Sequence, residues 1–346
     1  MPEVRLTVDG DEWGGWQSYR INLGMQQLAG SFNLGLTERW AGQETRRPLR
    51  KGAPCTLHYD GEVLITGYLD NVTPTYNAES HGITVSGRDK TADLVDCSAP
   101  PTQWIGRSLV AVARELCAPF GIAVIDLANA NAPFRSLKPN DGETVFDMLD
   151  QAARMRGVLL ITDGKGNLVI TRAGTARASD ALRLGQNVLT ASGNFDMRDV
   201  YSTYTLKGQQ PGDDWLSGET AAAVLAKATD SRVKRHRPLT LIADGPLDAA
   251  TARERVIWER NVRWGRSESI TYSVQGHRQS NGQLWRPNML VPVFDEYQFL
   301  NGEERLITDL TYILDDQGER SEPTVMPREA FDLVAQPEPE ASDASW

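Results

Sequence analysis

The sequence predicts a mainly β protein with an α+β insertion: two small β-barrel domains flanking an α/β unit. Three observations predict it. Apolar and polar residues alternate from residue 1 to about 95. After Asp96 the apolar residues recur at three- and four-residue spacing instead. Alternation then returns, most clearly between Ser269 and Leu314. Period two is the signature of a half-buried strand, and the longer spacing marks one face of a helix.

Residues 1–96 form the first β domain. Val4, Leu6 and Val8 alternate with Arg5, Thr7 and Asp9, and Tyr19, Ile21 and Leu23 repeat the pattern. Phe32, Leu34 and Leu36 follow, then Cys55, Leu57 and Tyr59, then Ile83, Val85 and Gly87. Asp9-Gly10, Asp60-Gly61 and Asn71 punctuate them as turns.

Residues 97–178 form the α/β unit. Ile105, Leu109, Val112, Leu116 and Phe120 lie on one helix face, Gly121 stops that helix, and Ile122–Ile125 is a short strand. A second helix spans Thr144–Arg156, with Val145, Met148, Leu149 and Ala152 inward and Gly157 as its left-handed cap. Val158–Thr162 and Leu168–Arg172 make a hairpin around Asp163-Gly164-Lys165-Gly166-Asn167.

Residues 179–334 form the second β domain, with one helix. Strand texture occupies Leu182–Leu189, Tyr201–Lys207 and Leu239–Ala243. The alanine-rich Gln209–Asp230 stretch is a loop or a loosely held helix. A helix begins at Asp244-Gly245-Pro246, where proline suits the first position, and runs to about Arg263 with Glu259 and Arg263 paired. Ile270, Tyr272 and Val274 give one strand, and the stretch around Met289–Phe294 another. Leu306, Thr308, Leu310, Tyr312 and Leu314 follow an Asn301-Gly302 turn. The acidic tail, 335–346, is expected to be disordered.

One internal echo suggests duplication. Leu64-Ile65-Thr66 after Asp60-Gly61 resembles Leu306-Ile307-Thr308 after Asn301-Gly302.

Composition narrows the function classes. The chain has 346 residues, with Lys plus Arg at 36 against Asp plus Glu at 46, a formal net charge of -10. Such a balance disfavours nonspecific nucleic-acid binding. Cys55, Cys97 and Cys117 lack clustered spacing and read as reduced, mostly buried thiols. The N-terminus has no signal-peptide pattern, and no apolar run approaches the ~18 residues of a bilayer span. These features predict a soluble, cytoplasm-made protein without membrane insertion.

Candidate chemistry is thin. Cys55 and His58 have half a zinc-site spacing, but on a strand they face opposite ways. His81, His236 and His277 are scattered singly. The Asp163 turn superficially resembles the start of a calcium loop, yet Lys165, Leu168 and Gly174 occupy places that need a ligand, a turn glycine and a bidentate glutamate. There is no Gly-x-Ser-x-Gly elbow, phosphate loop or His-Glu-x-x-His helix. A carboxylate pair set by folding remains open, since such pairs carry no spacing signal. No metal, cofactor or catalysis is expected. The cluster Arg232, Lys234, Arg235, His236 and Arg237 reads as a charged strand edge or as a contact for an acidic partner or phosphate backbone. Most of the nine tryptophans are expected in the core or at domain junctions.

Four stretches stand out: Val85-Ser86-Gly87-Arg88-Asp89-Lys90 with Leu94-Val95-Asp96; Ala153-Arg154-Met155-Arg156-Gly157; Tyr201-Ser202-Thr203-Tyr204; and Trp285-Arg286-Pro287-Asn288. In this order they resemble the Mu-like phage baseplate hub family, relatives of contractile-tail hubs and of type VI secretion spike bases. The resemblance implies structural motif residues Arg88, Asp89, Arg154, Gly157, Trp285, Arg286, Pro287 and Asn288, and no catalytic ones. It implies two barrels per chain and a homotrimeric ring. That ring would join a sixfold tail tube to a threefold central spike and enclose a DNA channel. Its partners would be copies of itself, the spike, the tube, other baseplate proteins and the tape measure protein. DNA would pass without specific binding, through a neutral or acidic lumen that the Arg232–Arg237 cluster does not line. The implied location is the virion's tail baseplate, assembled in the host cytoplasm. Two alternatives stay open: a hub with embedded cell-wall hydrolase activity, and the hub of a phage-derived bacteriocin or injection particle.

Overall fold

The computed structural model describes residues 3–37, 49–77, 81–174, 176–208, 224–243, 247, 249–336 and 338. The first β unit comprises Val4–Val8 (β1), Asp11–Trp13 (β2), Ser18–Gly24 (β3), Ser31–Thr37 (β4), Pro54–Tyr59 (β5), Glu62–Tyr76 (β6) and His81–Asp89 (β7). Its alternation is realised: Leu6, Ile21, Leu34, Leu57 and Val85 are fully buried. Each such side chain contributes about 1.5–3 kcal/mol by leaving water, and a slip of one residue would expose the whole set.

The α/β unit follows, with Ala92–Asp96 (α1), Trp104–Ile105 (β8), Leu109–Cys117 (α2), Val124–Asp126 (β9), Ser136–Leu137 (β10), Val145–Met155 (α3), Leu159–Thr162 (β11) and Leu168–Thr171 (β12). Thr144 caps α3 by accepting from the Asp147 amide at 3.1 Å while its hydroxyl donates to the Asp147 carboxylate at 2.8 Å. Val145, Met148, Leu149 and Ala152 all face inward. Ile105 corrects the expected helix face: it lies on β8 and is exposed, because the helix begins only after the Ser108 cap. The short α1 carries no periodic apolar signal long enough to announce itself.

The rest comprises Ala176–Arg177 (β13), Leu182–Arg183 (β14), Val188–Phe195 (β15), Thr203–Lys207 (β16), Val224–Thr229 (β17), Pro238–Ile242 (β18), Ala249–Arg266 (α4), Glu268–Gln275 (β19), Met289–Asp295 (β20), Leu300–Asp315 (β21) and Gly318–Met326 (β22). The expected Leu182–Leu189 strand divides in two, β14 and β15, at the Gly185 turn. Residues 224–229, expected as loop or helix, form a strand because β16 offers them an antiparallel ladder. The expected helix start at Asp244-Gly245-Pro246 lies outside the described residues. Strands β16–β18 and α4 form a side lobe with its own small core around Tyr204 and Val256.

Asn301-Gly302 is not the turn before β21. The chain reverses at Glu296–Phe299, where the Asp295 carboxylate accepts from the Tyr297 amide at 3.0 Å and Phe299 adopts φ +57°. Gly302, at φ +99°, is instead the extra residue of a bulge.

Strand order reveals the internal symmetry. The first unit runs β3-β4-β7-β6-β5 and the second runs β15-β19-β22-β21-β20, every neighbour antiparallel. Both units carry the same two bulges. Leu64 in β6 corresponds to Gly302 in β21, and Asp70 corresponds to Thr308. The strand order therefore agrees with duplication, while the sequence echo is out of register. Leu64 is equivalent to Gly302, not to Leu306.

The two units are also joined into one sheet. β3 pairs antiparallel with β21, placing Ile21 opposite Tyr312 and Leu23 opposite Leu310. One hydrophobic core accordingly runs from Val4 through Tyr312 to Val325.

Candidate functional site

Trp285, Arg286, Pro287 and Asn288 lie on the seam where both β units meet the α/β unit. Trp285 is buried in the shared core, and its carbonyl accepts a hydrogen bond from the Tyr312 hydroxyl. Arg286 reaches the first unit, with Nη2 at 3.0 Å from Glu62 Oε1 and 3.2 Å from the Val63 carbonyl. Arg278 grips the same β5–β6 turn through Asp60 at 3.4 Å and Glu62 at 3.3 Å. Pro287 is half-buried between these anchors. Asn288 holds the α/β unit: its Oδ1 accepts from the Gly174 amide at 2.7 Å and its Nδ2 donates to the Arg172 carbonyl at 3.1 Å. Asn288 adopts φ +64°, a left-handed conformation that asparagine tolerates better than most residues. Three successive polar contacts thus tie three units together.

Arg88 and Asp89 lie at the end of β7. Arg88 on β7 forks to Asp70 at 2.8 Å and to Asp96 at 2.7 Å, tethering α1 to the sheet. Its guanidinium hydrogen bonds hold the Asp96 carboxyl below the usual carboxylate range. Asp89 is buried and accepts from the Thr91 amide at 2.8 Å, the Thr91 hydroxyl at 2.7 Å and the Thr162 hydroxyl at 2.9 Å. Burial pushes its carboxyl up, and those three donors oppose the shift.

The Asp163 turn is a docking element. Asp163 accepts from the Lys165 and Asn167 amides at 2.8 and 3.1 Å, leaving its carboxylate committed to shaping the turn. The Gly164 carbonyl accepts from the Thr66 amide at 2.8 Å, and a Cβ at Gly164 would stand 2.2 Å from the Leu64 carbonyl. Only glycine lets the hairpin sit this close to β6. An open cleft of about 660 Å³ lies at the seam, lined by residues that include Leu23, Ile125, Lys165 and Arg286.

Arg154 and Gly157 lie apart from that cleft, under the C-terminal segment. Arg154 pairs with Asp150 at 2.7 Å, and its carbonyl accepts from the Gln336 amide at 3.1 Å. Gly157 has φ +62°, and a Cβ there would meet the Leu333 carbonyl at 3.2 Å. Neighbouring Arg156 lies 3.6 Å above the Phe134 ring and pairs with Glu338 at 2.7 Å. Gln336 and Glu338 of the expected tail make these contacts, and residues 337 and 339–346 lie outside the described set.

A buried polar cluster that the sequence did not signal joins β3 and β22 to the segment just after β19. His277 Nε2 lies 2.8 Å from the Tyr19 hydroxyl and its Nδ1 3.0 Å from the Ser321 hydroxyl. Tyr19 donates to Glu319 at 2.7 Å; the Tyr59 ring meets the imidazole edge-on with centroids 4.9 Å apart, and the Tyr312 ring lies tilted against it at 4.7 Å. Burial pushes the His277 pKa down to about 4. Its only sequence signal is that Tyr19 and Tyr312 occupy core positions of their strands.

Other candidates resolve into structure. Cys55 is buried while His58 faces the opposite side of β5, and burial pushes the Cys55 thiol up to about 12. Among the described residues no group of three or more His, Cys, Asp or Glu could hold a metal ion. The Arg232–Arg237 cluster occupies the β17–β18 connection, not a strand edge. Arg232 pairs with Asp230 at 2.6 Å and lies 3.8 Å above Trp264; Arg237 donates to the Val200 carbonyl at 3.0 Å. Lys234, Arg235 and His236 remain exposed. Trp16, Trp104 and Trp285 are core residues, and Trp258 donates to the Asp332 carbonyl at 2.6 Å. Trp40 and Trp215 lie outside the described residues.

Three family models match parts of the chain. Residues 3–89 match the family model of the Mu phage baseplate assembly protein GpP-like N-terminal domain. Residues 91–172 match the second domain of the baseplate hub protein gp44-like family, and residues 248–334 the fourth domain of the Mu phage baseplate assembly protein GpP. The chain is 37% identical over 339 residues to the baseplate hub protein gp44 of Escherichia phage Mu, covering 95% of this chain and 88% of that one. It superposes on the crystal structure of the 43 kDa tail protein of prophage MuSo2 from Shewanella oneidensis with a TM-score of 0.86 and 37% identity, covering 96% of this chain and 100% of the other. The tail protein from Neisseria meningitidis shares the fold at a TM-score of 0.81 and 23% identity, with 96% and 99% coverage.

Proposed function

The chain belongs to the baseplate hub family of Mu-like phage tails, and from that premise we propose that it forms a homotrimeric ring between the tail tube and the central spike. It is a baseplate component of the virion. The observation that carries the ring reading is the shared strand order of the two β units. Two similar units per chain let three copies present six similar faces to a sixfold tube. The α/β unit and side lobe, each present once per chain, keep the assembly threefold toward the spike. A rigid seam suits such an adaptor, because load passes between tube and spike through it.

The role is mechanical in this reading. The ring nucleates the tube, meets other baseplate proteins and the tape measure protein, and encloses the channel through which DNA leaves. Retained phosphate contacts would slow that exit, so a chain at -10 suits a neutral or acidic lumen. The motif residues serve as structural anchors, and no cell-wall hydrolysis is assigned to them.

Electron microscopy of the tail tip tests the reading. A threefold ring with six similar β lobes is the expected density. Six copies of the chain at the hub position, or a hub without a ring, would overturn it. Clearing of a peptidoglycan gel by the purified chain would overturn the non-enzymatic part.

A further inference from the structure

We propose that the side lobe docks an acidic surface of another tail protein, through the open face of its three-stranded sheet and the basic loop at one end. The proposal rests on membership of the baseplate family and is independent of the ring.

The lobe's sheet is covered by α4 on one side. Tyr204, Leu206, Leu239 and Leu241 meet Ala252 and Val256 there. The ladders fix what lies on the other side, because neighbouring residues of a strand point to opposite faces. Lys227 stands opposite Thr205, and Thr205 opposite Thr240, giving one row across β17, β16 and β18. Lys207 stands beside Ile242 in the next row, and the row through Thr203 holds no charged residue. No carboxylate lies on this face. Lys227 and Thr240 are exposed, and Ile242 is 55% exposed.

The basic loop borders the same face, since it leaves β17 after Thr229 and enters β18 at Pro238. Lys234 and Arg235 of that loop are exposed and form no ion pair with a described residue. Residues 198–266 hold twelve Lys and Arg against nine Asp and Glu, a net of +3 in a chain of -10, so the remainder stands at -13. The lobe is therefore a cationic patch on an anionic chain, which selects partners by charge.

The chemistry of the patch favours a protein over a nucleic acid. Forked arginines grip phosphates, but Arg232 is committed to Asp230 at 2.6 Å and Arg237 to the Val200 carbonyl at 3.0 Å. The open face carries no aromatic ring on which a base could stack. It offers lysines set among threonine methyl groups and Ile242, a mixture suited to carboxylates and apolar atoms presented together. At roughly 10 by 17 Å the face is smaller than a self-sufficient protein interface, so its partner is held by other contacts as well.

Photocrosslinking in assembled tails tests the proposal. Benzoylphenylalanine in place of exposed Thr240 should link to another tail protein, within a segment rich in Asp and Glu. Lys227→Glu combined with Arg235→Glu should cut that link about tenfold, and exchanging the linked carboxylates for lysine should restore it. Lys234→Glu with Arg235→Glu, confined to the loop, repeats the test without touching a strand. All these side chains are exposed, so the purified variants should keep the thermal midpoint of the parent chain. Failure of the variants to enter tails, rescued by the same exchange, is the stronger form of the expected result. A link to nucleic acid, to a second copy of the chain or to a neutral or basic segment overturns the proposal. So does a link that survives charge reversal, or no link at all.

Discussion

Asn288 and Gly174 stand 114 positions apart in the chain, yet the asparagine side chain accepts the glycine amide at 2.7 Å. That bond and its partner to the Arg172 carbonyl fasten the second β unit to the α/β unit. Asn288→Gly keeps the left-handed backbone while removing both bonds. It should cost about 1–3 kcal/mol, because two part-buried hydrogen bonds are lost, each worth about 0.5–1.5 kcal/mol. Denaturant titration of the two proteins measures it; an unchanged midpoint would refute the anchoring role.

Gly164→Ala should destabilise more than Gly10→Ala. Both positions have positive φ, at +74° and +88°, so both substitutions carry backbone strain of about 1–3 kcal/mol. At Gly10 nothing lies within 4 Å of the added Cβ, whereas at Gly164 it meets the Leu64 carbonyl at 2.2 Å. The difference in thermal midpoint between the two variants isolates the cost of lifting the hairpin from β6.

Acid should weaken the β3–β22 seam through His277. Its folded pKa is lowered from 6.5 to about 4, so between these values the unfolded chain holds a proton that the folded chain refuses. Stability therefore rises with pH across that window and is lost as pH falls through it. His277→Gln should flatten the dependence between pH 6.5 and 4. Unfolding free energies measured at several pH values test this, and a slope retained in the variant would assign it elsewhere.

Arg286 and Glu62 join the two β units in a partly exposed pair, with side-chain accessibilities of 26% and 44%. A double-mutant cycle with Arg286→Ala and Glu62→Ala should return a coupling of only about 0.2–1 kcal/mol, shrinking at high salt. Arg286→Ala alone should cost more than the coupling, since it also leaves the Val63 carbonyl. Equal values would show that the ion pair is its whole contribution.

Arg156→Ala should free the C-terminal segment. It removes the ion pair to Glu338 and the stack on Phe134, while the Gln336 amide keeps its bond to the Arg154 carbonyl. Limited proteolysis should cut near residue 338 faster in the variant, with the thermal midpoint little changed.

Local pattern carried much of this molecule. The alternating residues of β1, β3, β4, β5 and β7 are buried as expected, because burial on one face of a strand is written at period two. Helix α3 and the hairpin after it were legible through Thr144, Gly157 and the Asp163 turn, each of which works within a few residues of itself. Asn301-Gly302 misled because a glycine with positive φ serves a bulge as well as a turn, and only the partner strand distinguishes them. The Leu-Ile-Thr echo lay on equivalent strands but out of register, a difference visible only in the ladders.

By itself the sequence determined the fold class and the inward faces of most strands, since these depend on short-range periodicity. Tertiary structure decided which distant residues meet. It brought Arg286 to Glu62 and Asn288 to Gly174, assembled His277 with Tyr19 and Glu319, and fused two β units through β3 and β21. Each of these contacts closes a long loop of chain, and no spacing along the sequence records which distant strands will share an edge.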